Sequence, residues 1–314
     1  MAKTKSFSRL GISLGGEALQ VAEIQHAGNR SEILGLISVP LEYPFSYRTL
    51  SIDSEQDDIA TLLRQAIDDA GMNSTQVVVS VDSSMALVKR LPYDHTLSAK
   101  DIQSHIPWEL EQYLLSPRED YVFDFQSFTK NNGEKAPHFI MVAVKKPIIE
   151  TIQHIVQTAD LELAVIDVDV LAAANAFETN YSMPLGEFSA LVEVGTDKLT
   201  FSFLNGHTFL GHHSVYLEDI DDTESLGKEI SRNLRIFASD FLADDRKRQF
   251  DHVYLYRPSP HHNLEALIAT STLQHSETLN PFASLELAED VEDAFDLNED
   301  TSQYTEAIGL ALRK

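Results

Sequence analysis

The sequence predicts a two-lobed α/β protein, and three observations support this fold class. The chain has 314 residues, which is long for one ordinary core and fits two domains or lobes. Hydrophobic residues make up 43% of the chain, as in folded globular proteins. Both halves show the order strand, glycine turn, strand, strand, helix and strand, although their residues barely match.

The first half begins with this order of elements. Residues 10–38 contain alternating apolar runs around turns with glycine and asparagine, which predicts a hairpin or meander. Residues 54–71 place apolar side chains at helical spacing and end at Gly71, which predicts a helix. The apolar run QVVVSVD then predicts a strand.

A second α/β block extends from Met85 to about Ala159 and interrupts the first half. We expect Pro107 to end or bend its first helix, because proline removes a hydrogen bond of the helical ladder. Pro107, Trp108 and Tyr113 form an aromatic patch that could be core or could receive a partner. We prefer the interpretation that this aromatic patch belongs to the core.

The second half repeats the opening pattern. The run LAVIDV is nearly continuous in apolar residues and predicts a buried central strand, and Asp169 is placed to cap the helix after it. Gly195 lies in the turn of the second hairpin. The acidic segment 286–300 is interpreted as solvated, and the final helix SQYTEAIGLALRK as docked on the fold.

Composition excludes several classes of function. The 49 acidic and 24 basic side chains give a net charge of −25, so we expect no nucleic acid partner. The absence of cysteine excludes disulfides and thiolate catalysis and is compatible with a reducing cytoplasm. Neither a signal peptide nor an apolar run of about 20 residues is found, so direct membrane insertion is not expected.

The sequence predicts no catalytic and no metal-ligating residue. It has no GxSxG, Walker A or HExxH motif. The adjacent histidines, His212 with His213 and His261 with His262, would point to opposite faces of a strand and could not share one metal ion.

Seven phrases in order over most of the chain resemble the PilM family of type IV pilus assembly proteins, relatives of FtsA in the actin-like ATPase superfamily. They are LGISLGG, IPWELEQYLLSPREDYVFDFQ, FIMVAVKK, LELAVIDVDVLAAANAFE, LVEVGTDKLTFSFLNG, NPFASLEL and AIGLALRK. The resemblance implies an actin-like (ribonuclease H-like) two-lobed fold with an inserted FtsA-type α/β subdomain. The implied division is a first lobe at 1–175 with the insert at about 83–163, a second lobe at 176–297, and a C-terminal helix at 298–314 that docks on the first lobe.

In actin-like proteins two hairpins hold the nucleotide phosphates, and an aspartate in each orients hydrated magnesium. The resemblance therefore implies these candidate residues for a weak nucleotide site: Ser13, Gly15, Gly16, Gln20, Glu193, Gly195 and Thr196. Ser13 and Glu193 stand where the family has aspartate, and Gln20 where lysine is common. The turn after FDHVYLY carries Pro258 and Pro260 instead of glycines, which disfavours tight ATP binding. We expect either no cofactor or weakly bound ATP with magnesium, and a degenerate site rather than an enzyme.

The resemblance implies a cytoplasmic scaffold of a type IV pilus or a related secretion machine. Its implied partners are the cytoplasmic N-terminal peptide of a PilN-like inner-membrane protein, bound in a groove near the insert, and other components of the machine. The protein would then lie at the inner membrane through this partner. The alternative is an actin-like ATPase whose nucleotide state regulates assembly. A sugar kinase of the same superfamily would need a catalytic aspartate near the second hairpin, which we do not find.

Overall fold

The structure is a computed structural model that describes residues 6–28, 30–93, 99–128, 137–218, 222–242, 249–257, 263–272, 275–294 and 301–313. The strands are β1 Ser6–Ser13, β2 Ala18–Ala27, β3 Arg30–Pro40, β4 Gln76–Val81, β5 Ala86–Pro92, β6 Tyr121–Phe128, β7 His138–Lys145, β8 Glu162–Val168, β9 Phe188–Val194, β10 Lys198–Asn205, β11 Thr208–Tyr216, β12 His252–Tyr256, β13 His275–Thr278 and β14 Glu286–Leu287. The helices are α1 Asp53–Asp69, α2 Ala99–Glu111, α3 Lys146–Thr158, α4 Asp169–Asn180, α5 Thr223–Phe241, α6 Leu264–Thr272, α7 Glu289–Ala294 and α8 Thr305–Ala311.

The two larger sheets share one topology, in agreement with the predicted repeat. The first has the strand order β14-β3-β2-β1-β4-β8, and the second has the order β11-β10-β9-β12-β13. In both, the first strand pairs antiparallel with the next along the chain and parallel with a strand that follows a helix. The predicted turn with Pro258 and Pro260, the His261 and His262 pair, and residues 295–300 of the acidic segment lie outside the described residues.

Helix α5 covers the second sheet, and its sequence explains why. The apolar residues Leu226, Ile230, Leu234 and Phe237 are three or four positions apart, so they form one stripe, and all four are buried. They pack on Phe201 and other strand residues in one cluster. Burying each such side chain contributes about 1.5–3 kcal/mol.

The inserted block forms a three-stranded antiparallel sheet in the order β5-β7-β6, with α2 packed on it. Helix α2 continues through Pro107 to Glu111, so the proline does not end it. The prediction that Trp108 lies in the core is wrong, because its side chain is 55% exposed. Ile106 and Leu110, one turn apart, take the buried face of α2, and Trp108 lies midway between them on the opposite face.

The prediction that LAVIDV forms a central strand is also wrong. This segment is β8, which pairs with β4 and has no second strand beside it among the described residues. Its residues Leu163, Val165 and Ile166 are only partly buried. They line a groove next to the inserted block, so the apolar run covers the wall of a groove and not the middle of a sheet.

The last helix, α8, packs between β1 and α4. A Cβ atom added at Gly309 would lie 1.9 Å from the carbonyl oxygen of Ala172 in α4, so only glycine fits at this crossing. Asn175 of α4 donates a hydrogen bond of 2.5 Å to the carbonyl oxygen of Gly309. The glycine of the terminal GLALR phrase therefore allows two helix backbones to touch.

Within the described ranges, no helix has a long and apolar enough stretch to cross a bilayer.

Candidate functional site

The two predicted hairpins face each other across a cleft. Ser13 ends β1 and pairs with Gln20 of β2, and the turn between these strands contains Gly16 at φ 77°, a left-handed conformation that favours glycine. In the second hairpin, the Gly195 amide donates to the carbonyl oxygen of Lys198 at 3.0 Å. The Thr196 hydroxyl donates to Glu17 Oε1 at 3.2 Å, which joins the two turns.

Arg257 fills the space between the hairpins. It directly follows β12, has a left-handed backbone at φ 58°, and extends a largely buried side chain into the cleft. Its guanidinium donates hydrogen bonds of 3.0–3.2 Å to five acceptors, which are Ser13 Oγ, the Gly15 carbonyl, Gln20 Oε1, Glu193 Oε1 and Glu306 Oε2. A Cβ atom on Gly16 would lie 3.2 Å from its Nη1. Four of the seven predicted site residues thus bond to one arginine, and Gly16 borders it.

The C-terminal segment completes this cluster, which we call the Arg257 cluster: Ser13, Gln20, Glu193, Arg257 and Glu306. Glu306 of α8 is 1% exposed and accepts a 2.5 Å hydrogen bond from Ser13 in addition to the one from Arg257. The Arg257 amide donates to Ser302 Oγ at 3.0 Å. The first sheet, the second sheet and the chain terminus are therefore connected at one cation.

The buried acids of this region have altered proton affinities. Burial and the charge of Glu306 raise the pKa of Glu193 to about 7, although Arg257 opposes the shift. Burial works against the charge on Arg257, but the attraction of Glu306 and Glu193 outweighs it and raises the arginine pKa. Arg257 therefore stays charged at the centre of the cluster.

A second ion pair lies beside the cluster. Lys198 Nζ of β10 donates to the carboxylate of Asp82, which follows β4. Burial alone would raise the pKa of Asp82, but Lys198 and a hydrogen bond from Ser84 reverse the effect and lower it. This pair links the two larger sheets at a point separate from Arg257.

Asp169 does not cap α4 in the predicted way. Its Oδ2 accepts hydrogen bonds from the Ser83 amide at 3.0 Å and the Ser83 hydroxyl at 3.3 Å, so it holds the turn after β4. Its Oδ1 accepts from the next amide, Val170, at 2.6 Å. Burial and the charge of Asp82 raise the pKa of Asp169 well above its usual range.

Sequence reasoning missed Arg257 and Glu306. Arg257 is 244 residues from Ser13, and nothing local distinguishes it from a surface arginine after a strand. The sequence did contain a signal that Glu306 is a site residue, because it is the acid among the apolar residues of TEAIGLAL, on a helix that is predicted to dock. A charge on a docked helix indicates a buried partner of opposite charge.

A groove with a volume of about 1010 Å³ lies between the inserted sheet and the first sheet. Strand β6 forms one wall, β8 forms the other, and α3 and α4 contribute Ile149, Leu171 and Glu178. Within the part of the chain that the structure describes, β6 and β8 each pair with a strand on one side only. Each of these two groove strands therefore has one edge without a strand partner, although Phe125 of β6 and Val168 of β8 donate their amides to the neighbouring Asp124 and Asp167 carboxylates.

The groove lining mixes apolar and polar side chains and has an excess of negative charge. Its charged residues are Asp124, Asp167, Glu178 and Arg313, and Arg313 is paired with Asp167. Asp124 and Glu178 have no basic partner among the described residues. The two histidines of the lining, His138 and His207, contact Arg90 and the Tyr181 carbonyl, respectively.

Solved structures show the class of fold. The chain is similar to a Bacteroides thetaiotaomicron protein of unknown function with an actin-like ATPase fold, with a TM-score of 0.51 and 12% identity over 91% of this chain and 93% of that one. It is also similar to a chain of the "PilM-PilN type IV pilus biogenesis complex", with a TM-score of 0.79 and 18% identity over 97% of this chain and 98% of that one. The fold is actin-like, as predicted.

The family follows from the sequence itself. Residues 11–216 match the family described as type IV pilus assembly protein PilM. The match covers about two thirds of the chain, from β1 to the end of β11. The chain therefore belongs to the PilM family, as the resemblance predicted.

Proposed function

We propose that this protein is a cytoplasmic scaffold of a type IV pilus or a related secretion machine. In this role it binds the cytoplasmic N-terminal peptide of a PilN-like inner-membrane protein in the groove between β6 and β8. The protein would lie at the membrane through this partner, and other machine components would assemble on it. The groove lined by the two edge strands carries the proposal, together with family membership and the likeness to a chain of the PilM-PilN complex.

An extended peptide suits this groove. Exposed strand edges promote unwanted association, and proteins usually blunt them with charges or proline. Here β8 instead presents Leu163, Ala164 and Val165 to the groove, and β6 presents Val122. A peptide strand can pair its backbone with an edge and place alternate side chains against the apolar wall, as in β-strand addition.

Charge supports the same type of ligand. The groove carries unpaired Asp124 and Glu178, and the chain as a whole has a net charge of −25. Cytoplasmic segments next to membrane-spanning helices are rich in lysine and arginine. Attraction between an acidic surface and such a segment favours fast association.

We propose that the scaffold does not need a nucleotide to hold its lobes together. The terminal N–H groups of Arg257 are already donated to five protein acceptors. A phosphate placed there would also lie near the buried carboxylates of Glu193 and Glu306, which repel it. These residues do not suit a nucleotide phosphate, and the arginine makes contacts to both hairpins from the space between them.

The competing function, an actin-like ATPase, is tested by calorimetry with ATP and magnesium. We expect no binding, or a Kd weaker than about 100 μM, equivalent to less than about 5.5 kcal/mol. Micromolar binding that is lost when Gly15 or Gly195 is changed would favour the ATPase over the nucleotide-independent scaffold.

The peptide function is tested by fluorescence anisotropy with a labelled synthetic peptide, the cytoplasmic N-terminal segment of the PilN-like protein of the same organism. Val122→Arg and Ala164→Arg place bulk and charge at exposed positions of the two groove walls and should weaken binding at least tenfold. The matched control is Leu115→Arg, because Leu115 is 96% exposed and does not line the groove. Equal affinity of all three variants and wild type would contradict the proposed site.

A further inference from the structure

Glu178 is a groove residue that the fold does not explain. It lies in the last turn of α4, whose residues Leu171, Ala174, Asn175 and Glu178 follow each other at helical spacing and all line the groove. Leu171 and Ala174 pack on the apolar core, and Asn175 bonds to Gly309. Glu178 has no hydrogen-bond or ion-pair partner within the described ranges.

A lone carboxylate is unfavourable at this position for two reasons. Partial burial in the groove wall removes water from Glu178 and raises its pKa to about 7. The carbonyl dipoles at the C-terminal end of α4 also disfavour a negative charge in its last turn. A cation placed beside Glu178 would relieve both effects, because it is attracted to the carboxylate and to the helix end.

The nearby charged groups do not supply this cation. Arg313 reaches the groove but is paired with Asp167 of β8. Asp124 of β6 adds negative charge. His207, from the turn between β10 and β11, bonds through Nε2 to the Tyr181 carbonyl, and His138 of β7 contacts Arg90.

We propose that Glu178 receives a cationic group of the bound peptide, either a lysine or arginine side chain or the free α-amino group. This inference rests on the proposed function of the groove. It makes Glu178 a specificity residue, which selects a basic peptide among the apolar extended segments that the groove walls accept.

The test compares Glu178→Gln, which keeps the shape of the side chain, with Asp124→Asn on the opposite wall. With the same PilN-like peptide as probe, Glu178→Gln should weaken binding about tenfold, which is 1.4 kcal/mol. Asp124→Asn should change affinity less than twofold, because Asp124 is exposed and solvent screens it. Val122→Arg serves as the control that blocks the groove itself.

Peptide variants identify the cation. One peptide has an acetylated N-terminus, and the others replace each lysine or arginine in turn by glutamine. One of these peptide changes should weaken binding to the wild-type protein about tenfold. The same change should not weaken binding to the Glu178→Gln protein any further. This loss of additivity reports a direct pair and not a general structural effect.

The pH dependence gives a further readout. Pairing with a cation favours the ionised carboxylate. If the cation is a lysine or arginine side chain, which stays charged throughout, wild-type affinity should rise from pH 6 to pH 8, and the Glu178→Gln protein should lose this part of the rise. His138 and His207 line the groove in both proteins, so the difference between wild type and Glu178→Gln isolates the contribution of Glu178.

The outcomes separate the two proposals. If Glu178→Gln binds the peptide as tightly as wild type while Val122→Arg does not, the role of Glu178 is wrong and the peptide groove stands. If every cationic change is additive with Glu178→Gln, the role of Glu178 is also wrong. If wild type does not bind the peptide at all, the proposed function fails, and the inference about Glu178 falls with it.

Discussion

Replacement of Arg257 by methionine tests the role of the Arg257 cluster. Methionine replaces the aliphatic part of the arginine but has no charge and no donor, so the change removes the hydrogen bonds to all five acceptors and leaves Glu193 and Glu306 buried without their cation. Removing one partner of a buried ion pair costs about 3–5 kcal/mol. Since each kcal/mol shifts the melting temperature of a large domain by about 2–4 °C, a fall of about 10 °C is expected.

Calorimetric melting at pH 5, 7 and 8 measures this effect. In wild type the folded pKa of Glu193 is about 7, above its unfolded value, so the folded state takes up protons and gains stability as the pH falls through 7. Without Arg257 the pKa of Glu193 rises further. The difference in melting temperature between Arg257→Met and wild type should therefore be larger at pH 8 than at pH 5.

The matched control is Arg232→Met. Arg232 forms an exposed ion pair with Glu229 one turn away on α5, and its loss should leave the melting temperature unchanged. If Arg257→Met has the same melting temperature as wild type at all three pH values, the conclusion that this arginine joins the lobes is refuted. A loss of melting temperature that is the same at pH 5 and pH 8 would also refute it, because such a loss would not come from the buried acids.

Three further predictions follow from the packing and the ion pairs. Gly309→Ala should lower the free energy of unfolding by about 2 kcal/mol or more in urea titrations, because its Cβ would meet the Ala172 carbonyl. As a control, Gly227→Ala on α5 should have a free energy of unfolding within about 1 kcal/mol of wild type. Equal effects of the two changes would contradict the close crossing of α4 and α8. Lys198→Met should destabilise the protein at pH 7, since it leaves Asp82 buried without its cation, and a melting temperature equal to that of wild type would show that the pair contributes nothing. The stabilisation from ionised Asp82 should be lost below pH 4, because its folded pKa is below its ordinary value, and wild type should then lose its advantage over Lys198→Met in acid melting.

The hairpins could be predicted from the sequence because their determinants are local. Alternating apolar residues around a glycine define a strand, a turn and a strand wherever they occur, and Gly16 indeed takes the left-handed conformation that the turn needs. The predicted repeat in the order of elements agrees with the topology that the two larger sheets share. The family resemblance, and not the local pattern, placed Ser13, Gln20 and Glu193 near one another.

The contents of the cleft could not be predicted in this way. Arg257 meets Ser13 across 244 residues of sequence and Glu306 across 49, and such contacts depend on the assembled fold. The apolar run of β8 was taken for a buried central strand, because burial in a sheet and exposure to a narrow apolar groove give the same sequence pattern. Trp108 was assigned to the core from its residue type, whereas its position on α2 relative to Ile106 and Leu110 decides its exposure.

The central claim is that an extended peptide adds to the groove between β6 and β8, and hydrogen–deuterium exchange with and without the PilN-like peptide tests it most directly. Pairing with a strand edge gives free backbone amides a partner, so exchange should slow in Tyr121–Phe128 and Glu162–Val168. The hairpin turns at residues 14–17 and 195–197 should exchange at unchanged rates. Protection at those turns, or on the exposed face of α2 around Trp108, with none in β6 or β8, would contradict the account.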